Sequence, residues 1–489
     1  MVTEKKGTPA SYYIKLLVCF ACMFGFKYIP GWAGITPEGM AAIGIFIGLV
    51  LMIVFNFGLI ASCTIAIFAV VNTGFYTGST IITQTIGNAS VVQMIFMYAV
   101  CNSMMQTGAG EFVAKWLLSR KWIQGRPIVF SCMMLFVGWL CGPFMGSAGL
   151  ILLYGILDYV DDTLGYSHED SFSMMLRLGA QSACMVGMAF LPFKGITLTI
   201  FTAIASALEA VGITTNFAYY MIGSAVIAVL YIAGFIFLML AIFKCDASKI
   251  KNLDMTKMEG MDNLKATPQQ IYSMVFTLLA IIYTLVSLVL PAGAFKTWYS
   301  NIALWVWAAL MLGILSLIRY EGKPVINADA LMAKLQWGII LATAAFTVIG
   351  GMLANKDLGV RGWIVSIMNP IFSNMSYPIF ILVICFVAAV VTNFFSNMAT
   401  GLIIGAIVAP FAVVYCQSLG VNGTFIALAL VQSAMFAFLT MAAAGPAPML
   451  LAQEAFVKKP SFIWTHGVPA LIWGVICTWI VCLGFSMIM

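Results

Sequence analysis

The sequence predicts an all-α polytopic membrane protein with about eleven transmembrane helices, two re-entrant hairpins and two inverted repeats carrying broken helices. Three observations carry that expectation. The 489 residues are 63% apolar and 8% charged, whereas a soluble domain carries about 25% charged residues; a soluble chain this poor in charge could not cover its own surface. The apolar runs have helical length, not the short alternating strands of an outer-membrane barrel. Lys and Arg gather on one side of the resulting layout, as cytoplasmic loops require. The longest polar segment, Lys244 to Gln270, is too short to bury a core of its own.

Met1 to Ser11 is polar, and the first apolar run meets a turn at Pro30-Gly31 instead of a small-x-small cleavage site. It therefore reads as a first span and not as a signal peptide. Spans are expected at 14–30, 36–55, 57–76, 88–107, 174–208, 216–243, 269–291, 298–318, 335–354, 424–453 and 462–487, with apolar hairpins at 127–157 and 378–415. With the N-terminus cytoplasmic, 18 basic residues fall on that side and only four, Lys27, Lys296, Lys356 and Arg361, on the other. Eleven spans then place the C-terminus outside, in a plasma (inner) membrane. Residues 127–157 are uncharged and lie between Arg126 and Asp158. Two full spans need about 40 residues plus a turn, so two short arms entering from the cytoplasmic face are expected.

The chain also repeats. Gly149-Leu150-Ile151 recurs as Gly401-Leu402-Ile403, Gln181-Ser182-Ala183 as Gln432-Ser433-Ala434, and Pro127 as Pro378, at offsets of 251 to 252. An odd number of crossings separates the copies, so the second is upside down. The expected organisation is a tail and first span (1–35), a first repeat (36–243), a cytoplasmic linker (244–268) and a second repeat (269–489). Inverted repeats with hairpins and broken helices point to secondary transporters, whose sites lie near the midplane at such breaks.

Four constellations are candidates for chemistry. Thr392-Asn393-Phe394-Phe395-Ser396-Asn397-Met398-Ala399-Thr400-Gly401 lies midway through a 92-residue stretch without a charge. Unpaired hydroxyls and amides are costly in hydrocarbon, so this cluster faces protein, water or a ligand. Ala444-Gly445-Pro446-Ala447-Pro448 breaks the tenth span, because proline removes donors and frees carbonyls. Leu191-Pro192-Phe193-Lys194-Gly195 breaks the fifth, and Lys194 is the one basic residue without a loop to occupy. An ammonium at that depth costs at least about 2.5–3.5 kcal/mol and is functional by default. Asp158-Tyr159-Val160-Asp161-Asp162, the fourth, lacks the second acidic motif of a magnesium-diphosphate site and reads as a solvated charged turn. All 17 acids fall at span ends or in loops, so a carboxylate proton relay has no candidate. The histidines, His168 and His466, read as solvated or packing residues, and the cysteines as packing within apolar runs.

At the hairpin tips the sequence resembles the divalent-anion/sodium symporter family, carriers of dicarboxylates, citrate and sulfate. Ser396-Asn397-Met398-Ala399-Thr400 is similar to that family's second Ser-Asn-Thr tip, with Met398 where threonine is usual. Ala444 to Pro448 resembles its second broken helix. Ile35-Thr36-Pro37-Glu38-Gly39 before Ile45-Phe46-Ile47-Gly48, and Gln106-Thr107-Gly108-Ala109-Gly110, resemble its entries to the second span and first hairpin. The resemblance implies sodium held by Thr392, Asn397 and carbonyls of Phe395 and Ala444. It implies substrate contacts at Ser396, Asn397, Met398 and Pro446, a homodimer, and an elevator-type movement.

The first tip departs from the family. One register sets Phe144-Met145-Gly146 opposite Ser396-Asn397-Met398, another Ser147-Ala148-Gly149, and neither supplies the asparagine. Gly146 and Ser147 are therefore expected at the site without the motif's side chains. Lys194 lies in the same half and is expected to replace one sodium ion or to pair with a substrate carboxylate. The reading is a non-enzymatic carrier of small, dicarboxylate-like organic anions, sodium-coupled with a reduced ion count or working as an exchanger. It is embedded in the lipid bilayer and has no nucleic-acid partner. The rivals are a carrier of another anion from a neighbouring branch, and an intramembrane prenyl or acyl transferase.

Overall fold

Helix starts follow local capping signals along the chain. The computed structural model describes residues 10–123, 125–191, 195–253, 264–291, 293–372, 375–443 and 446–488. The first span, α1 (Ala10–Phe20), continues through a π turn and a 3-10 turn to Tyr28. α2 (Pro37–Val54) opens on Thr36, whose hydroxyl accepts the Gly39 N–H at 3.1 Å, with proline at the first position where its missing donor costs nothing. There follow α3 (Leu59–Thr73), a short α4 (Ser79–Gln84), α5 (Ala89–Gln106) and α6 (Ala109–Leu118). The first hairpin is α7 (Pro127–Phe144) and α8 (Ser147–Leu164). α9 (Ser171–Met188), α10 (Gly195–Glu209) and α11 (Phe217–Phe237) complete this half.

The second half opens with α12 (Pro268–Val289), where Thr267 and Gln270 form a reciprocal capping box. α13 (Ala294–Asn301) and α14 (Leu304–Leu317) replace the single span expected at 298–318. A two-residue antiparallel pair, β1 (Arg319–Tyr320) with β2 (Lys323–Pro324), leads to α15 (Ala328–Ala333), α16 (Trp337–Ala354) and α17 (Val360–Phe372). The second hairpin is α18 (Tyr377–Val391) and α19 (Asn397–Leu419). α20 (Gly423–Ala434), the short α21 (Ala447–Leu451) and α22 (Glu454–Lys458), and α23 (Val468–Ile488) follow.

The element order recurs: a helix, an amphipathic connector, a hairpin, a broken span and a closing helix run from α5 to α11 and again from α16 to α23. Pro127 and Tyr377, and Ser147 and Asn397, open corresponding hairpin arms 250 residues apart. Among the described residues, seven helices are long and apolar enough to cross a membrane, and six shorter apolar helices accompany them. The protein is an all-α polytopic membrane protein.

Packing is closest where α7 crosses α9. A Cβ on Gly187 would stand 1.9 Å from the Trp139 carbonyl oxygen, and one on Gly142 would stand 2.3 Å from that of Cys184. Helices in lipid associate through such small-residue contacts, because no hydrophobic drive separates helix from tail. The crossing holds the first hairpin arm against the first broken span.

Two expectations are corrected at the far end of this hairpin. α8 does not stop at residue 157 but runs to Leu164, giving the arms 18 residues each. One of the three aspartates on it, Asp161, is not solvated either, while Asp158 and Asp162 are exposed. Arg177 on α9 and Asp161 on α8 are 1% and 2% exposed and pair at 2.7 Å; Ser173 donates to the same Asp161 oxygen at 2.6 Å, and Asp158 also accepts from the guanidinium. Paired in this way, Asp161 is compatible with its buried position. Removing one partner of such a pair leaves an uncompensated buried charge, at about 3–5 kcal/mol. Arg177→Met and Asp161→Leu should each lower the melting temperature in detergent sharply. The double variant should recover much of the loss; if it melts as low as either single variant, the pair is not the source.

Candidate functional site

Both helix breaks and both hairpin turns open on one cavity of about 590 Å³. Its wall includes Gly146 and Ser147 from the first turn, Ser396, Asn397 and Met398 from the second, Leu191 and Gly195 from either side of the first break, and Ala443 and Pro446 from the second. Of the residues expected at the site, Gly146, Ser147, Ser396, Asn397, Met398 and Pro446 thus come together. Lys194 and Ala444 lie outside the described residues.

The second turn is built from short-range bonds. The Ser396 hydroxyl accepts the Ala399 N–H at 3.1 Å and starts α19. Thr392, fully buried, donates to the Ala434 carbonyl at 2.7 Å and stands 3.3 Å from Asn397 Oδ1. One hydroxyl carries one proton, and the shorter contact claims it. The Thr392 oxygen and Asn397 Oδ1 therefore meet as neighbouring neutral acceptors. Phe395 has an exposed side chain and does not line the cavity.

Asn393, quoted in the sequence but given no role there, organises the second break. Its Nδ2 donates to the carbonyls of Ala389 and Phe436 at 2.7 and 2.8 Å, and its Oδ1 accepts the N–H groups of Phe438 and Leu439 at 3.0 and 2.8 Å. The Thr440 hydroxyl donates to the Asn393 carbonyl. After α20 ends at Ala434 the backbone is non-helical, and these bonds supply the partners that a continuing helix would have supplied.

The first turn corrects both registers drawn from sequence. Gly146, at φ +55, occupies the position before α8 that Ser396 occupies before α19. Ser147 therefore corresponds to Asn397 and Ala148 to Met398, a spacing of 250 between the two expected values. Gly146 supplies no side-chain cap, so the turn rests on backbone that glycine alone enters without strain.

Sequence reasoning missed much of the wall. Asn102 on α5, Thr197 on α10 and Gln336 just before α16 line the cavity, as do Met105, Met145, Met185, Met188, Met398 and Met435. Asn102, a lone amide in an apolar run, was a usable signal; the methionines, read as packing, carried none. Among the described lining residues no side chain is charged. Four helices begin at this wall: α8 with 18 residues, α10 with 15, α16 with 18 and α19 with 23. Their positive dipole ends converge there. His168 stands half-exposed 4.0 Å from Asp158 and Asp161, and His466 stacks on Phe462, both away from the cavity.

No family model and no curated protein matches the chain in sequence. In structure it is similar to the YdaH transporter of Alcanivorax borkumensis, with a TM-score of 0.56 at 14% identity over 84% of this chain and 89% of that one. It is also similar to MtrF of Neisseria gonorrhoeae, from a class of antimetabolite efflux pumps, with a TM-score of 0.55 at 12% identity over 84% of each chain. The likeness is one of fold.

Asn393 makes four side-chain bonds, and each lost bond in a buried site is worth about 1 kcal/mol, more where a group is left unpaired. Asn393→Ala should therefore cost about 3–5 kcal/mol in thermal melts. Asn393→Asp should do no better, because it sets a carboxylate oxygen against two carbonyls. Ser396→Ala should cost only about 1 kcal/mol, as a lost cap. An aspartate variant as stable as wild type would remove the role given to the amide.

Proposed function

We propose that the chain is a secondary active transporter of small multivalent organic anions, coupled to sodium. The observation that carries this reading is the convergence of two hairpin turns, two helix breaks and four helix N-termini on one cavity without a carboxylate among its described lining residues. Such a wall offers N–H groups and amide donors to an anion while its unwound backbone offers carbonyls to a cation. The shared fold with two transporters supports the class, and the Ser-Asn tip supports the resemblance to divalent-anion/sodium symporters.

Ser396, Asn397 and Pro446 are proposed to hold a substrate carboxylate, with Met398, Gly146 and Ser147 beside it. Thr392 and Asn397 fit a sodium ion carried with the substrate: their two neutral oxygens face each other, and hard cations of this kind take oxygen ligands. Carbonyls of Phe395 and Ala444 complete the proposed set. Lys194 is flanked by Leu191 and Gly195, both on the cavity wall. At about 4 Å its ammonium would contribute roughly 4 kcal/mol toward a carboxylate at an effective dielectric of 20, enough to stand in for a bound cation. The N-terminus is proposed to be cytoplasmic and the working unit a homodimer. An intramembrane transferase is disfavoured, because neither histidine nor any acid lines the cavity among the described residues.

Uptake and counterflow in proteoliposomes, with di- and tricarboxylates, sulfate and monocarboxylates in the presence and absence of sodium, test the reading. Thr392→Val and Asn397→Ala should each cut sodium-stimulated uptake about tenfold, the effect of losing roughly 1.4 kcal/mol of ion binding. Lys194→Ala should weaken anion affinity or raise the number of sodium ions carried. If it leaves both unchanged, the role assigned to Lys194 fails; if no multivalent anion moves, the substrate class fails.

A further inference from the structure

A second cavity of about 460 Å³ lies at the opposite ends of α10 and α16 from the first. Its polar lining includes Gln84, Asn88 and Ser206, and Glu209, Lys356 and Asp357 stand exposed at its edge. The two helices run side by side from one cavity to the other. Thr197 and Ile339 face the first; Ser206 and Thr347 face the second.

Between the cavities the seam is polar and narrow. The hydroxyls of Thr199 and Thr343, both fully buried, meet at 2.6 Å. Seven residues on, a Cβ on Gly350 would stand 3.0 Å from the Ser206 hydroxyl, so the helices keep one register along the seam. Thr199 also reaches the Gly195 carbonyl at 3.2 Å, and Thr343 that of Ile339 at 3.0 Å. The contact across the seam can therefore open without stranding a proton, because each hydroxyl has a carbonyl of its own helix to fall back on. One turn further along α16, the Thr347 hydroxyl is buried, on a residue 7% exposed, with no partner among the described residues.

We infer that the second cavity is the other mouth of the transport path and that the Thr199–Thr343 contact is the closed gate between the two. Opening shifts α10 along α16 by one turn, roughly 6 Å, and brings Thr199 from Thr343 to Thr347, which then gains its missing partner. The anion held by the first cavity leaves past a line of hydroxyls and amides, which receive it without a competing fixed charge in the seam. A packing seam of small polar residues, common between membrane helices, would explain the Thr199–Thr343 bond. It would not by itself place a cavity at each end of the seam.

This inference rests on the transport reading, and the test separates the two. Ile339→Cys reports access to the first cavity; a membrane-impermeant thiol reagent is added only on the side of Lys356, and labelling at position 339 is read by peptide mass spectrometry. Thr343→Ala, which removes the closed contact and leaves Thr199 able to meet Thr347, should speed labelling about tenfold, on the scale of one interhelical hydrogen bond. Thr347→Val should slow it severalfold, and Thr343→Ser, which keeps the hydroxyl, should label at the starting rate. Unchanged labelling in Thr343→Ala or in Thr347→Val overturns the gate, as does a Thr343→Ser variant that labels like Thr343→Ala. Melting in detergent identifies any variant that misfolds; if Thr343→Ala does, Thr343→Ser and Thr347→Val decide. Anion uptake is scored in the same vesicles: a labelling response without uptake removes the transport reading and leaves the path, and uptake without a labelling response removes the path alone.

Discussion

Everything at the centre of this protein depends on one constraint: backbone polar groups inside a membrane must find partners within the chain. A helix meets that constraint automatically and, in doing so, offers nothing to a ligand. The second break escapes it through Asn393. One side-chain amide takes the N–H groups of Phe438 and Leu439 and the carbonyl of Phe436, which the interrupted helix would otherwise leave unpaired, and gives its other N–H to the Ala389 carbonyl in the last turn of α18. With those groups satisfied, Ala443 and Pro446 can sit on the cavity wall in non-helical backbone, opposite the turn that carries Ser396 and Asn397. The binding geometry is thus a by-product of a hydrogen-bonding problem solved locally, by a residue that does not itself line the cavity.

The few charges are disposed by the same logic. None of the described residues lining the central cavity is charged, so what they present to it are helix ends and neutral dipoles. Among the described residues the one fully buried ion pair, Arg177 with Asp161, sits at the far end of the hairpin that those helix ends frame.

Much of this was legible in the sequence, and the limits have physical causes. Span positions came through because apolar length is dictated by the bilayer, and the breaks came through because Pro and Gly interrupt helices whatever surrounds them. The turn at Ser396-Asn397 was visible as a polar cluster in an uncharged stretch. The register at Gly146 was not, because glycine and alanine leave no side-chain signature and the repeat offset drifts by a residue between its landmarks. Asp161 was misread because its partner lies 16 residues on and on another helix; charge patterning within a loop carries no record of such pairing. Thr197 and Gln336 went unnoticed because the residues they meet across the cavity come from distant segments.

The ion pair between α8 and α9 also bears on how the chain is made. Asp161 leaves the ribosome before Arg177 does, so for that interval the second hairpin arm carries a carboxylate without the guanidinium that pairs with it in the folded protein. Burying that carboxylate is costly until α9 emerges and supplies its partner. The final seating of the first hairpin therefore waits on the first half of the broken span, and the order of synthesis bears on that seating as well as the packing itself does.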